Sequence, residues 1–170
     1  MSSTPNLPQI QDAIVTAIGG IVAGVGSYNT TVLTASISLV QRDIKAIQQH
    51  TMPAVDVAFQ GEEEIVQMSM LRKNATWLIT GYVALDATED ETAAARQRML
   101  RCGQLRDDIK AALYGSQALH GGVCTFVECK SAMNTSGVAA ERDSGGSQGT
   151  LRFLVSATYF EPPGLTPVLT

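Results

Sequence analysis

Hydrophobic residues recur with a helical period at two places in the chain and with a strand period elsewhere. Apolar residues stand three and four positions apart in residues 6–25 and 86–114, which is the spacing of one helix face. Apolar and polar residues alternate within 33–39, 53–59 and 75–85, and two further strands are predicted at 123–130 and 150–160. Strands grouped apart from helices predict an α+β fold, in which two helices pack on one face of an antiparallel or mixed sheet.

The length and composition indicate one domain. The chain has 170 residues, of which 45% are hydrophobic, enough for a substantial core. We expect a single domain over residues 1–160 and an extended tail over 161–170, because prolines in the tail disfavour both helix and strand. Charged residues make up only 16% of the chain, against roughly 25% in a typical soluble domain. This deficit predicts that extra surface is buried against partners.

The charge and the apolar runs exclude two classes of partner. A net charge of −4, from 12 Lys and Arg against 16 Asp and Glu, argues against a protein that wraps nucleic acid. The longest apolar run, residues 13–26, is shorter than the roughly 20 residues that cross a bilayer, and no basic residue precedes it as in a signal peptide. The sequence therefore predicts neither specific DNA binding nor a membrane partner.

The sequence contains no recognisable set of catalytic or metal-binding residues. His50 and His120 each lie in a predicted connection without a neighbouring acid or nucleophile. Cys124 and Cys129 are five positions apart on a predicted strand, hence on opposite faces, and Cys102 lies on a helical apolar stripe. We interpret the cysteines as small buried residues with reduced thiols. The sequence predicts a protein that is not an enzyme and binds no cofactor or metal.

Three side chains on the predicted helices are candidates for contacts between subunits. Val15 and Val22 lie off the apolar stripe of the first helix, so they either widen its core face or meet another subunit. Arg98 falls within the apolar stripe of the second helix. There it either snorkels to water along its stem or forms an intersubunit salt bridge.

Two irregular segments supply further interface candidates. Residues 131–149 are rich in Gly and Ser and too flexible to hold a shape alone, so we expect them to become ordered against a partner. The proline-rich tail holds its apolar side chains extended, which suits docking on a neighbouring protein. The candidates are Glu141, Arg142 and Asp143 in the first segment and Leu165, Val168 and Leu169 in the tail.

The size and the order of elements resemble those of the bacteriophage tail terminators, also called tail-completion or minor tail protein U-like proteins. The resemblance covers nearly the whole chain and includes a Pro-Ala-Val strand start at Pro53. It is carried by the N-terminal helix from Ile10 to Ile21, the segments 39–44 and 52–62, the strand through Trp77, the acid-started helix from Asp86 to Tyr114 and the closing strand from Leu151 to Phe160.

The resemblance implies a ring of identical subunits, usually a hexamer, at the head-proximal end of a tail tube. Such a ring stops polymerisation of the tail tube protein, presents a surface to a neck or head-completion protein, and lets DNA pass. It implies a virion protein assembled in the host cytoplasm. Two alternatives are another ring of the same particle, such as a neck adaptor or tail tube subunit, and an unrelated α+β ligand-binding module.

Glu62, Glu63 and Glu64 are the candidates for the lumen of such a ring. We predict that they lie in a turn between strands, with no basic residue in the turn itself. Repeated around a ring, their carboxylates would repel the phosphate backbone of passing DNA within a Debye length of about 8 Å. A solvated loop on the outside of the ring is the alternative placement.

Overall fold

The structure, a computed structural model, describes residues 7–37, 52–67, 70–123, 126–131, 138–139 and 148–161. Its elements follow in the predicted order: a helix, three strands, a long helix and further strands. Their bounds are α1 Leu7–Gly19, β1 Thr34–Ile37, β2 Ala54–Gln67, β3 Met70–Ala84, α2 Glu91–Gly115, a π-helical segment Ala118–Val123, β4 Phe126–Ser131, β5 Val138–Ala139 and β6 Gln148–Glu161.

The strands form one mixed sheet in the order β1-β2-β3-β6-β4, and β5 pairs with β6 beside this path. β1 runs parallel to β2, whereas the other neighbours are antiparallel. Both helices share one hydrophobic core with one face of the sheet. The predicted α+β fold, with a mixed sheet and two helices on one face, is confirmed.

The core is built from the apolar faces that the sequence periodicity predicts. Ile10, Ile14 and Ile18 of α1 are fully buried, one turn apart. On β3, Trp77 and Ile79 are equally buried, and the Trp77 indole Nε1 donates to Gln11 Oε1 at 3.0 Å. This hydrogen bond satisfies the polar atom of the largest buried side chain and fixes α1 over the middle of the sheet.

The first helix is shorter than predicted. It ends at Gly19, so Val25 lies outside it and is exposed. Two successive glycines lower the helix propensity at this point, and Gly24 and Gly26 then adopt positive φ values of 80° and 60°. The chain therefore turns back toward the sheet instead of continuing the helix.

The first strand also differs from its prediction. Residues 33–39 were expected to bury one face, but β1 covers only Thr34–Ile37, and Leu33 and Ile37 are exposed. Only Ala35 between them packs against the core, below the end of α1 at Gly19. Because α1 stops there, nothing in the described part of the chain covers the other two apolar side chains.

The predicted turn at residues 60–64 is wrong. β2 continues through these residues to Gln67 and pairs with β3 over its whole length. A bulge between Phe59 and Gly61 shifts the register by one residue, so the strand absorbs the local break without ending. β3 correspondingly begins at Met70 instead of Ala75.

The long helix is confirmed from Glu91 to Gly115, and Asp90 caps it by accepting from Thr92 N at 2.9 Å. Its apolar stripe is buried only in the C-terminal half. Ala95 and Met99 belong to the apolar spacing of residues 86–114, but both are exposed. The buried residues of α2 begin at Cys102, so the first turns of the helix lie at the margin of the core.

Asp108 is a buried carboxylate on the core side of α2, with an exposed fraction of 2%. It has no cationic partner among the described residues but accepts hydrogen bonds from four donors. Asn29 N lies 2.9 Å from Oδ2 and Asn29 Nδ2 lies 3.1 Å from Oδ1. Thr30 N and Thr30 Oγ1 each lie 2.7 Å from Oδ2. These bonds attach the connection between α1 and β1 to α2.

Replacing Asp108 by Ala should destabilise the protein by about 3 kcal/mol, because the buried donors of Asn29 and Thr30 lose a charged acceptor. Asp107→Ala is the matched control, since Asp107 is exposed and pairs only with its neighbour Arg106. The control should change the free energy of unfolding by less than about 0.5 kcal/mol. Urea unfolding followed by circular dichroism measures both values. Equal effects would contradict a role for the Asp108 hydrogen bonds.

Two glycines should respond in opposite directions to alanine. At Gly149 a Cβ atom would lie 2.9 Å from Cys102 Sγ and from Val83 Cγ2, so Gly149→Ala should destabilise by about 1–3 kcal/mol. At Gly103 in α2 a Cβ atom would meet nothing within 4 Å, so Gly103→Ala should stabilise by about 1 kcal/mol through helix propensity. Thermal unfolding of the two variants checks the signs, and a stable Gly149→Ala protein would contradict the close packing of β6 on α2.

Candidate functional site

The three glutamates predicted for a lumen lie on β2, where successive side chains point to opposite faces of the sheet. Glu62 and Glu64 pair across the strands with Ala75 and Lys73, on the face that carries the helices. Glu63 lies on the other face. The structure therefore does not bring the three carboxylates together.

A basic residue that the sequence argument missed lies beside two of these carboxylates. Lys73 Nζ is 3.2 Å from Glu62 Oε1 and 3.1 Å from Glu64 Oε1. The hydroxyl of the buried Tyr159 donates to Glu62 Oε2 at 2.7 Å. Because Glu62 and Lys73 expose only 16% and 14% of their side chains, this ion pair is screened less than a surface pair. The group connects β2, β3 and β6 and offsets part of the negative charge.

A groove of about 370 Å³ lies at the bulge of β2. Side-chain alternation places its residues from β3 and β6 on the face opposite Trp77 and the helices. The lining contains two glutamates but no Lys, Arg or His. It consists of Gln60, Gly61, Glu62, Glu63, Asn74, Thr76, Leu154 and Ser156.

Side chains of the groove form hydrogen bonds between β3 and β6. The hydroxyls of Thr76 and Ser156 lie 3.3 Å apart and share one hydrogen bond. Asn74 Oδ1 accepts from Thr158 Oγ1 at 3.3 Å. The Glu63 carboxylate forms no ion pair within the described residues. The groove, which we call the acceptor groove, therefore suits a donor or a cation and disfavours an anion.

Exposed apolar side chains cluster in three other places. The first, which we call the edge patch, lies at β1 and the turn before it. Val32 N donates to Ile21 O at 3.1 Å, which brings residues 21–25 beside the start of β1. The second, the hairpin patch, lies on β2, and the third, the helix patch, on the first half of α2. The edge patch comprises Val22, Val25, Leu33 and Ile37, the hairpin patch Phe59 and Val66, and the helix patch Met99 and Leu100. Ile65 is also exposed but lies on the opposite face of β2, because it pairs with Arg72.

The remaining predicted interface residues differ in their surroundings. Val15 is half-buried and packs against the core, which fits a wider core face, whereas Val22 is 44% exposed. The stem of Arg98 packs near Gly149, and its Nε is buried without a hydrogen-bond partner among the described residues. The predicted contacts in residues 141–143 and in the tail, Leu165, Val168 and Leu169, lie outside the described residues.

Among the described residues, the side chains of Cys102, Cys129 and His120 contact other parts of the fold. Burial raises the pKa of the Cys102 thiol to about 11, so it stays protonated near neutral pH. Burial also raises the pKa of Cys129, whose backbone N donates to the Tyr114 hydroxyl at 3.1 Å. His120 Nε2 lies 3.2 Å from Leu113 O, at the end of α2.

In the described part of the chain, no three His, Cys, Asp or Glu side chains come together in a way that could hold a metal ion. Within the same ranges no helix combines the length and apolar character needed to cross a membrane.

Comparisons with known proteins give no match: neither a protein-family model nor a curated protein matches the chain.

Replacing Lys73 by Met should destabilise the protein by about 2 kcal/mol, because the half-buried Glu62 carboxylate then lacks its cation. Lys110→Met is a matched control on α2, since Lys110 is half-buried but forms no salt bridge among the described residues. We expect its effect to stay below about 0.5 kcal/mol. Denaturant unfolding compares the two variants. A Lys73→Met protein as stable as the control would show that the ion pairs contribute nothing.

Proposed function

We propose that the chain is a phage tail terminator, a structural virion protein that is assembled in the host cytoplasm. It forms a ring at the head-proximal end of the tail tube, ends polymerisation of the tail tube protein, and joins the tail to a neck or head-completion protein. The proposal rests on the resemblance described above together with the distribution of exposed apolar side chains.

The observation that carries the proposal is the exposure of apolar side chains on different parts of one domain. The edge patch lies at β1, at one edge of the sheet, and the helix patch lies on α2. A contact between either patch and a different surface of the next subunit is heterologous, so it repeats in one direction from subunit to subunit. Such a contact closes into a ring when the rotation between subunits allows it. The resemblance to tail terminators gives six as the expected number of subunits in the ring.

The net negative charge of the chain is compatible with DNA passing through the proposed ring. With a net charge of −4 per subunit, a ring presents no excess of cations to hold a phosphate backbone. Lys73 offsets the charge of Glu62 and Glu64, so we attribute repulsion of DNA to the ring as a whole rather than to these carboxylates. Residues 141–143 and the tail stay candidates for contacts with the tube and the neck.

One observation favours the alternative of a tail tube subunit. β2 and β3 form a long hairpin of 14 and 15 residues, and Val66 near its end is 80% exposed. A tube subunit needs a long hairpin to reach the next ring, and its rings stack into open polymers. The two functions therefore differ in the assembly that the purified chain should form.

Native mass spectrometry and negative-stain microscopy of the purified chain test the proposal. We expect a closed oligomer of one size, and shorter tubes when the chain is added to polymerising tail tube protein from the same particle. Open stacked polymers would favour the tube subunit. A chain that stays monomeric, both alone and with tubes, would contradict both functions.

The edge patch offers a variant with a matched control. Leu33→Ser combined with Ile37→Ser should weaken assembly, because it removes exposed apolar surface without disturbing the core. Leu33→Ile combined with Ile37→Leu keeps that surface apolar and should assemble like the parent chain. Unaltered assembly of the serine variant would remove the edge patch from the interface.

A further inference from the structure

The acceptor groove and an exposed arginine on α2 have complementary chemistry. The groove lining contains Glu63 and no cation, and Arg72, which pairs with Ile65 across the strands, lies outside it. Arg96 is exposed and, in the described part of the chain, has neither an ion-pair nor a hydrogen-bond partner. The guanidinium carries five N–H donors, and the groove presents the Glu63 carboxylate as an acceptor.

Arg96 and Glu63 each have an exposed apolar neighbour on the same face of their helix or strand, and the two spacings are similar. Met99 and Leu100, which are 67% and 61% exposed, follow Arg96 by three and four positions and so share its helix face. Ile65 follows Glu63 by two positions on the same face of β2 and is also exposed. Two residues along a strand span about 6.7 Å and four along a helix about 6 Å. A charged and an apolar contact can therefore form together.

We propose that the acceptor groove receives the Arg96 guanidinium of a second copy of this chain, while Met99 and Leu100 of that copy pack against Ile65. This inference rests on the proposed function, since it identifies a contact between ring subunits. Charge complementarity and the apolar pairs select a second copy as the occupant, because the same chain carries both surfaces.

The contact forms between copies and not within one. α2 packs on one face of the sheet, and Asn74, Thr76 and Ser156 of the groove lie on the opposite face. The sheet therefore separates Arg96 from the groove of its own chain. Each subunit donates its α2 surface to one neighbour and its groove to the other, which is the head-to-tail arrangement of a ring.

Charge reversal tests the pairing. Glu63→Lys alone and Arg96→Glu alone should each raise the dissociation constant of the oligomer at least tenfold in sedimentation velocity, because each places like charges together. The variant with both substitutions should recover assembly, since the charges are exchanged. Glu89→Lys and Arg106→Glu make the same charge changes at other sites and should assemble normally.

A disulfide trap tests the geometry independently. A chain with Ile65→Cys and Leu100→Cys should form a ladder of linked oligomers on oxidation with diamide, whereas each single variant, which retains the native cysteines, should form none. Recovery in the doubly charge-reversed chain and the ladder together support the inference.

Three outcomes would overturn the proposal. A closed parent oligomer that tolerates both charge reversals and gives no ladder would exclude this contact and leave the ring standing. An effect of Glu63→Lys without one of Arg96→Glu would assign the groove to a different cation of the second copy. A parent chain that never associates would overturn the proposed ring and this contact with it.

Discussion

The buried carboxylate of Asp108 attaches the connection between α1 and β1 to α2. It holds Asn29 and Thr30 through backbone and side-chain donors, 79 and 78 positions away in sequence. In the glycine-containing turn before these residues Val22 and Val25 are exposed, so the hydrogen bonds to Asp108, together with the packing of Ile21 and Tyr28 on the core, hold the turn in place. β1 follows directly and joins the sheet as its parallel edge strand. The edge patch therefore lies beside a loop that Asp108 of α2 holds in place. The buried hydrogen bonds of Asp108 thus help to position a surface on which assembly is proposed to depend.

The bulge of β2 has a comparable effect on the other side of the molecule. Phe59 pairs with Trp77 on the helix side of the sheet, and strict alternation would put Glu63 on that side as well. The one-residue shift at Gly61 reverses this, so Glu62 and Glu64 meet Lys73, and Glu63 faces the acceptor groove. The single inserted residue thus places Glu62 and Glu64, which neutralise Lys73 within the fold, on one face of the sheet. It places Glu63, which can bind a cation of another molecule, on the opposite face.

Much of the fold could be predicted from the sequence, because a long helix or strand with one buried face has apolar residues at a regular spacing. The faces of α1, β3 and the C-terminal half of α2 follow from apolar spacing alone. The bulge could not be predicted, since Gln60-Gly61 followed by glutamates has the same local composition as a turn, and only pairing with β3 distinguishes the two. Lys73 precedes the predicted strand start, so its contact with Glu62 depends on that same register. Asp108 had one detectable signal: an acid at a core position of a helical stripe requires donors from elsewhere.

The acceptor groove and the acidic lumen make competing demands on Glu63. If Glu63 pairs with Arg96 of a neighbouring subunit, and Lys73 already offsets Glu62 and Glu64, little charge from these residues is left to act on DNA. Coulomb repulsion in water also falls off within about 8 Å, so carboxylates held in an interface contribute less than their number suggests. A ring built through this groove would then rely on its total charge, −4 per subunit, to keep DNA from adhering. In such a ring the cluster of glutamates that is most conspicuous in the sequence serves the fold and the contact between subunits, and the channel wall is formed by other residues.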